Sequence, residues 1–502
     1  MTSPTDQRSS ARLPRFESGL PELDAILGGG LAEGASYVVQ GSPGTGKTIL
    51  ANQICFAQAA QGRKSLYLTL MSESFSQMFA FLGSLDFFDL TRIPEYIYYA
   101  SAYPTLRDEG IDALLHLIVQ EIRERRPSLL VFDGFLAIGE FLDPERRDNE
   151  FRRFLNELGA LAAQNRITIL LLTNSDRGPS SPEYTMIDGW IELLDDLSPH
   201  QPRRELVVHK HRGSPILRGR HEYRIASPGL VVYPRIDADA PAREPAALSA
   251  AGSHSRSPAR LTTGIAGLDA MLGGGIPAGT TTAVVGPTGS GKTTVGLHFL
   301  AAATPAEPAL FVGFFESAAR LTAKAAGIGL DLEPLVEAGT VRILRIPPVG
   351  PLIDEIGWRI VEAVEASGAR RVVIDGLAET CRSLADEARL RCFLDALDDR
   401  LVGLGASVVH TREVPDLLFP TSLATGQFFA VVDNTLLLHY ALSGYAVERR
   451  ATLLKVRDSD FDHHGRAFRI TGNGLVLDTA ADGGDAQGNA ADTARSGPGD
   501  VG

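Results

Sequence analysis

Two stretches of the sequence have the residue types and spacing to hold phosphate. One is Gly41, Ser42, Pro43, Gly44, Thr45, Gly46, Lys47 and Thr48. The other is Gly286, Pro287, Thr288, Gly289, Ser290, Gly291, Lys292 and Thr293, with Thr294 following. Both read G-x-x-x-x-G-K-T. The glycines let the backbone approach phosphate oxygens and adopt conformations closed to other residues. Amide N–H groups and the start of a helix then face the anion. Lys47 and Lys292 would neutralise β- and γ-phosphate charge, while Thr48 and Thr293 would place hydroxyls on Mg²⁺. A glycine-rich turn can match this spacing by chance once. Two matches, each between a strand pattern and a helix pattern, leave that reading little room.

The rest of the chemistry sits downstream of each loop. Asp133 ends "SLLVFD" and Asp375 ends "RVVID". An Asp there can hold the Mg²⁺ shell from across a sheet; its rival role is to cap a turn. Hydrolysis also needs a group that orients or deprotonates water beside the γ-phosphate. Glu73 in "LTLMSESF" and Glu316 in "VGFFESAA" are the candidates, against the plainer reading of a glutamate in a helix's first turn. Further on, "ELVVHKHRGS" and "TLLKVRDSD" place Lys210 with Arg212 and Lys455 with Arg457 on one face of a strand. Spacing alone leaves two readings open: contacts to a neighbouring subunit's γ-phosphate, or a solvated hairpin edge. Thr173 and Thr411, at the ends of later strands, either sense the γ-phosphate or cap turns.

The elements that must position these groups repeat. "SYVVQ" and "TAVVG" read as strands feeding the loops, and "TILANQICFAQAAQ" and "TTVGLHFLAAAT" as the helices after them. "SLYLTL", "ALFVGFF", "ITILLLTN" and "ASVVHT" are further apolar strands, of the kind buried on both faces of a parallel sheet. Strand–loop–helix alternation predicts doubly wound α/β domains. Gly19 and Gly264, Asp24 and Asp269, Lys47 and Lys292, Asp188 and Asp433, and Lys210 and Lys455 are all offset by 245 positions. That period is a whole domain, so the chain is a tandem duplication. The expected organisation is a disordered N-terminus over 1–13, a first domain over 14–235, a linker over 236–260, a second domain over 261–478 and a disordered tail over 479–502. The linker and both ends are rich in small and polar residues.

Composition narrows the function classes. The 502 residues carry 48 Lys and Arg against 61 Asp and Glu, a formal net charge of −13. Such a balance weighs against broad attraction to nucleic acid. Three cysteines, Cys55, Cys381 and Cys392, make no C-x-x-C pair, so zinc ribbons and disulfide scaffolds are not indicated. The polar opening "MTSPTDQRSSARLPR" has no signal-peptide core, and no apolar run reaches membrane-spanning length. The expected location is the cytoplasm, with no membrane partner.

Taken together, "SGLPELDAILGGGLAEG" and "TGIAGLDAMLGGGIPAG" before the loops, the K-x-R strands and the duplicated layout resemble the KaiC-like branch of the RecA superfamily of ATPases, from about Pro14 to Asp478. The resemblance implies two tandem RecA-like P-loop NTPase domains, each a mostly parallel twisted sheet with helices on both faces. It also implies a homo-oligomeric, hexameric two-tiered ring with ATP and Mg²⁺ at subunit interfaces. The loops would act in cis, and Lys210, Arg212, Lys455 and Arg457 in trans. Two departures matter. Clock members of the family carry two adjacent glutamates at the catalytic position, where this chain has Ser72-Glu73 and Phe315-Glu316; slow turnover is expected, most of all at the second site. Clock members also autophosphorylate a Ser-Thr pair, matched here by Phe429 and Ala430, so a clock-type autokinase cycle is not expected. The reading is an ATP-binding protein with two sites per chain and slow hydrolysis, a signalling or regulatory switch with an unknown protein partner. The rivals are a DNA-handling recombinase or helicase relative and a non-catalytic, ATP-dependent assembly scaffold.

Overall fold

The computed structural model describes residues 14–70, 75–142, 145, 147–174, 181–196, 203–238, 259–414, 432–443 and 445–478. Glu73, Ser72, Phe429, Ala430, both chain ends and most of the 236–260 linker lie outside the described residues. The chain divides into two compact units, Met1–Asp239 and Ala240–Gly502.

Each unit is built on a nine-stranded sheet. In the first, the order across the sheet is Gly229–Tyr233, His221–Ala226, Arg203–His211, Gly189–Asp196, Ser36–Gly41, Thr168–Thr173, Leu129–Asp133, Ser65–Thr69, Ile97–Ser101. The six strands from Gly189–Asp196 to Ile97–Ser101 run parallel, and the other three are antiparallel. The second unit repeats the plan. Val341–Arg345, Ala309–Gly313, Arg371–Asp375, Ser407–Glu413, Thr281–Gly286 and Asn434–Ser443 run parallel, followed by antiparallel Ala446–Val456, Arg466–Thr471 and Gly474–Leu477.

The apolar strands predicted from the sequence are the central ones, and their composition explains their place. All six residues of Ser36–Gly41 are buried, as are all six of Thr281–Gly286. Alternation splits the first of these between two cores. Tyr37 and Val39 pack with Leu50 and Ile54 of the helix Lys47–Ala60 on one face. Val38 packs with Leu66, Leu68, Ile118 and Phe154 on the other. At about 25 cal/mol per Å² of apolar area, each such residue contributes roughly 1.5–3 kcal/mol to holding helices on both faces. Among the described residues, no helix is long and apolar enough to cross a membrane.

This topology places the chemistry. Asp133 and Asp375 end strands one removed from the loop strand, with Thr168–Thr173 or Ser407–Glu413 between. In a parallel sheet all these strands finish on one side, so residues far apart in sequence meet beyond their C-terminal ends.

Candidate nucleotide sites

Both loops follow the buried central strand and open a helix: Lys47–Ala60 in the first unit, Lys292–Ala301 in the second. Gly46 and Gly291, the residues before these helices, sit in the left-handed region at φ 97° and 107°. A side chain on Gly46 would also meet Ile225 Cδ1 at 2.8 Å, so conformation and packing both demand glycine there. Thr45 Oγ1 donates to Ser42 O at 2.9 Å, and Tyr223 OH donates to Thr45 O at 2.7 Å, which fixes the first loop before any ligand arrives.

Lys47 Nζ donates to Gly41 O at 2.7 Å and Ser42 O at 3.0 Å. Lys292 Nζ donates to Gly286 O at 2.8 Å and Pro287 O at 2.9 Å. Neither ammonium has a carboxylate ion pair among the described residues. Burial lowers the pKa of Lys47, opposed by Asp133. It likewise lowers that of Lys292, opposed by Glu413, Asp375 and Glu379. A half-buried cation on its own loop's carbonyls, beside free helix N–H groups, fits an anionic phosphate.

The structure brings the threonines and aspartates together. Thr48 Oγ1 lies 3.5 Å from Asp133 Oδ2, and Thr293 Oγ1 donates to Asp375 Oδ2 at 3.1 Å. This hydroxyl–carboxylate pair fits Mg²⁺, which takes few protein ligands and completes its shell with water and phosphate oxygens. Among the described residues no group of three or more His, Cys, Asp or Glu side chains could hold a metal alone.

Each aspartate is held by a second hydroxyl, from a different side. Tyr67 OH donates to Asp133 Oδ2 at 2.7 Å. Thr411 Oγ1 donates to Asp375 Oδ1 and accepts from Gly376 N at 3.1 Å. Register shows the swap: Tyr67 corresponds to Phe311, and Thr411 to Leu172 rather than to Thr173. Thr173 is buried opposite Gln40, where the second unit has Arg412 opposite Val285. The two threonines singled out together in the sequence are therefore not equivalent.

The cavities beside the loops differ in lining. The first encloses about 330 Å³ between Lys47, Thr48 and Asp133 and an apolar wall that includes Phe75, Met78 and Phe81. The second encloses about 500 Å³ and is lined by Lys292, Thr293, Asp375, Phe315, Lys324, Glu379 and Glu413 among others. Glu316 is not in that lining. Its Oε1 accepts from Lys324 Nζ at 3.3 Å, while the adjoining Phe315 ring, 65% exposed, faces the cavity. Glu379 and Glu413 escaped the sequence reading because they do not repeat; the first unit has Ala137 and Asn174 at those positions. The available signal was their distance from landmarks, four residues after Asp375 and two after Thr411.

The basic pairs sit elsewhere. Lys210 is opposite Trp190 at the start of the strand Gly189–Asp196, whereas the loop strand's end, Gly41, is opposite Leu193. Lys455 is likewise opposite Thr435, near the start of its partner strand. A bulge immediately precedes each lysine, at Trp190/Ile191 and at Thr435/Leu436, and re-aims the chain in both units. The strand carrying Lys210 is inside the sheet, not at its edge. Lys210 Nζ donates to Tyr184 O and Thr185 O, and Lys455 Nζ to Val432 O. Arg212 pairs with Asp188 at 3.4 Å and Arg457 with Asp433 at 3.1 Å. Those aspartates also accept from the first residue of the loop strand, Ser36 or Thr281, through its N–H and hydroxyl.

Comparison with known proteins agrees with this architecture. The family model "ATPase: KaiC" matches residues 16–237 and again 261–481. The circadian clock oscillator protein KaiC of Parathermosynechococcus lividus is 24% identical, over 95% of this chain and 88% of that protein. Its namesake from Thermostichus vulcanus is 25% identical, over 95% of this chain and 91% of that protein. Two family matches that fall on the two repeated nucleotide-type sites cover most of the sequence, and the chain belongs to the KaiC ATPase family.

Proposed function

We propose that this protein binds two ATP per chain, hydrolyses them slowly at the interfaces of a homo-oligomeric ring, and works as a nucleotide-dependent regulatory switch. The observation that carries the reading is the duplicated set of loop, half-buried lysine on the loop carbonyls and threonine–aspartate pair in both units. Loop N–H groups and Lys47 or Lys292 bind and orient the triphosphate. Thr48 with Asp133, and Thr293 with Asp375, would hold Mg²⁺. That ion would supply positive charge to offset the negative charge of the phosphate oxygens. Glu73 is the water-orienting candidate at the first site. The pairing of Glu316 with Lys324 supports weaker turnover at the second, as Phe315 does.

The position of the basic pairs supports the ring. At roughly 3.3 Å per residue, the three residues from Trp190 to Leu193 put Lys210 about 10 Å from the level of its own loop, toward the other end of the strands. Lys210, Arg212, Lys455 and Arg457 thus act in trans, on a neighbour's γ-phosphate, or not at all. Cytoplasmic residence and the boundaries 14–235 and 261–478 belong to the same proposal. Nucleotide bound per chain, phosphate release and particle mass test it in wild type, Lys47→Ala and Lys292→Ala. Two nucleotides, measurable release and a ring-sized particle are expected. Release at background in all three would remove the ATPase, and a monomer with ATP would remove the trans contacts. Tight, salt-sensitive binding of single-stranded DNA would instead favour a DNA-handling role.

A further inference from the structure

The second cavity contains a carboxylate with no counterpart in the first and no task in the reading above. Glu379 lies on the short helix Leu377–Cys381, four residues beyond Asp375, and lines the cavity with Lys292, Thr293 and Asp375. Its Oε1 accepts the N–H of Glu413 at 2.8 Å, which fixes the plane of the group. Its Oε2 is buried and, among the described residues, has no hydrogen-bond donor. A buried carboxylate oxygen without a donor is costly, which favours a small rotation of the side chain that brings it to a donor such as water in the adjoining cavity.

The other carboxylates are less suited. Glu316 also has a buried Oε2 without a donor among the described residues, but it is outside the lining and its Oε1 is tied to Lys324. Asp375 is engaged by Thr293 and Thr411. Glu413 accepts the hydroxyl of Thr288 on the loop itself. Lys292 and Glu379 line the same cavity.

We infer that Glu379 is the group that orients and deprotonates the attacking water at the second nucleotide site, the role the sequence pattern offered to Glu316. The inference rests on the reading of this cavity as an ATP site. Water oxygen bonds to the γ-phosphorus as the bond from that phosphorus to the β,γ-bridging oxygen breaks. The bond's electron pair leaves with ADP. The water proton passes to Glu379 and from there to the departing phosphate. With Ala137 at this place, the first unit has no such group, so the two sites use carboxylates from different elements.

The test is phosphate release and nucleotide bound per chain in the full chain, for Glu379→Gln, Glu316→Gln and Lys292→Ala. Glutamine keeps an acceptor for the Glu413 N–H. Glu379→Gln is expected to lose the same share of release as Lys292→Ala, with the second site's own turnover down about 100-fold. It should still hold two nucleotides per chain, whereas Lys292→Ala holds one. A purely structural glutamate would not separate release from occupancy in this way. Wild-type release from Glu379→Gln overturns the inference. So does loss of the second-site share in Glu316→Gln while Glu379→Gln retains it, or a Lys292→Ala chain that releases phosphate like wild type. Should Lys292→Ala retain two nucleotides, the reading of the cavity as a lysine-dependent ATP site fails as well. Because removal of Glu379 can unsettle the Glu413 backbone, Glu379→Asp serves as a second variant. It keeps the charge but shortens the reach, and partial release with full occupancy is expected; release equal to wild type would count against the assignment.

Discussion

In the first unit the aspartate at the strand end takes a hydroxyl from Tyr67, on the neighbouring strand toward the sheet's parallel edge. In the second it takes one from Thr411, on the neighbour toward the loop strand. The positions are reciprocal: where one unit has Tyr67 and Leu172, the other has Phe311 and Thr411. What is kept is the orientation of the carboxylate toward the loop threonine, and what is exchanged is the residue that enforces it. The same tolerance does not extend to the cavity walls, apolar in the first unit and charged in the second. Duplicated domains can thus hold one phosphate-type cradle constant while the groups opposite it diverge.

The largest expected effect asks whether the cradles are equivalent. Lys47→Ala and Lys292→Ala each remove the charge-assisted contacts available to bound phosphate, so the affected site should bind nucleotide roughly 10- to 100-fold more weakly. Calorimetric titration with ATP and Mg²⁺ in each variant reads this directly; loss at only one site would break the equivalence.

Acid should test the first unit through His211, although burial also lowers the pKa of His298 and His439 in the second. His211 packs against Tyr37, and Val456 stands in its place in the second unit. Arg15 can only donate, and Tyr37 OH is within 3.1 Å, so His211 Nε2 accepts and Nδ1 carries the proton. Burial, then the Arg15 charge, lowers its pKa from 6.5 to about 4. As pH falls the unfolded chain protonates here first. The contribution is complete above about pH 6.5 and is lost progressively toward pH 4, amounting to about 2–3 kcal/mol in the first unit. Denaturant melts at pH 7 and 4.5 followed by Trp190 fluorescence should show this loss, and His211→Gln should flatten it.

A smaller effect tests the exchange of hydroxyls. Thr411→Val should cost about 1–2 kcal/mol, because Gly376 N–H and Asp375 both lose a partner. Adding Phe311→Tyr, the residue type found in the first unit, should recover about half in a double-mutant cycle. Absence of any coupling would mean that the two units do not solve the same problem.

The smallest expected effect concerns Phe315. As it is mostly exposed, Phe315→Ser should change stability by less than about 0.5 kcal/mol in a denaturant melt. A larger loss would show that the ring supports the second cavity's wall.

Much of this was legible beforehand because it is carried by local chemistry. The glycine spacing of each loop demands a strand-to-helix turn, and the apolar runs ending at Asp133 and Asp375 can only be buried strands. The match at Lys47 and Lys292 told that the unit occurs twice. The parts that were not legible depend on pairs distant in sequence. Thr173 ends its strand and Thr411 stands two residues before the end of Ser407–Glu413, yet only sheet register reveals that Leu172 is the counterpart of Thr411. Glu316 follows a strand as a water-orienting glutamate should, but its Oε1 is taken up by Lys324 and it is absent from the cavity lining. Glu379 has no repeat partner and an ordinary helical context, so nothing local singles it out.

By itself, then, the sequence determined the tandem α/β architecture, the two phosphate-type loops and the strand-end aspartates, since turn geometry and hydrophobic periodicity act over a few residues. Only the tertiary structure decided which hydroxyl holds each aspartate, which carboxylates face the second cavity, and that the basic pairs stand at the far ends of the strands. Those are consequences of strand pairing, which brings together side chains 36 to 125 positions apart and whose register no local pattern encodes.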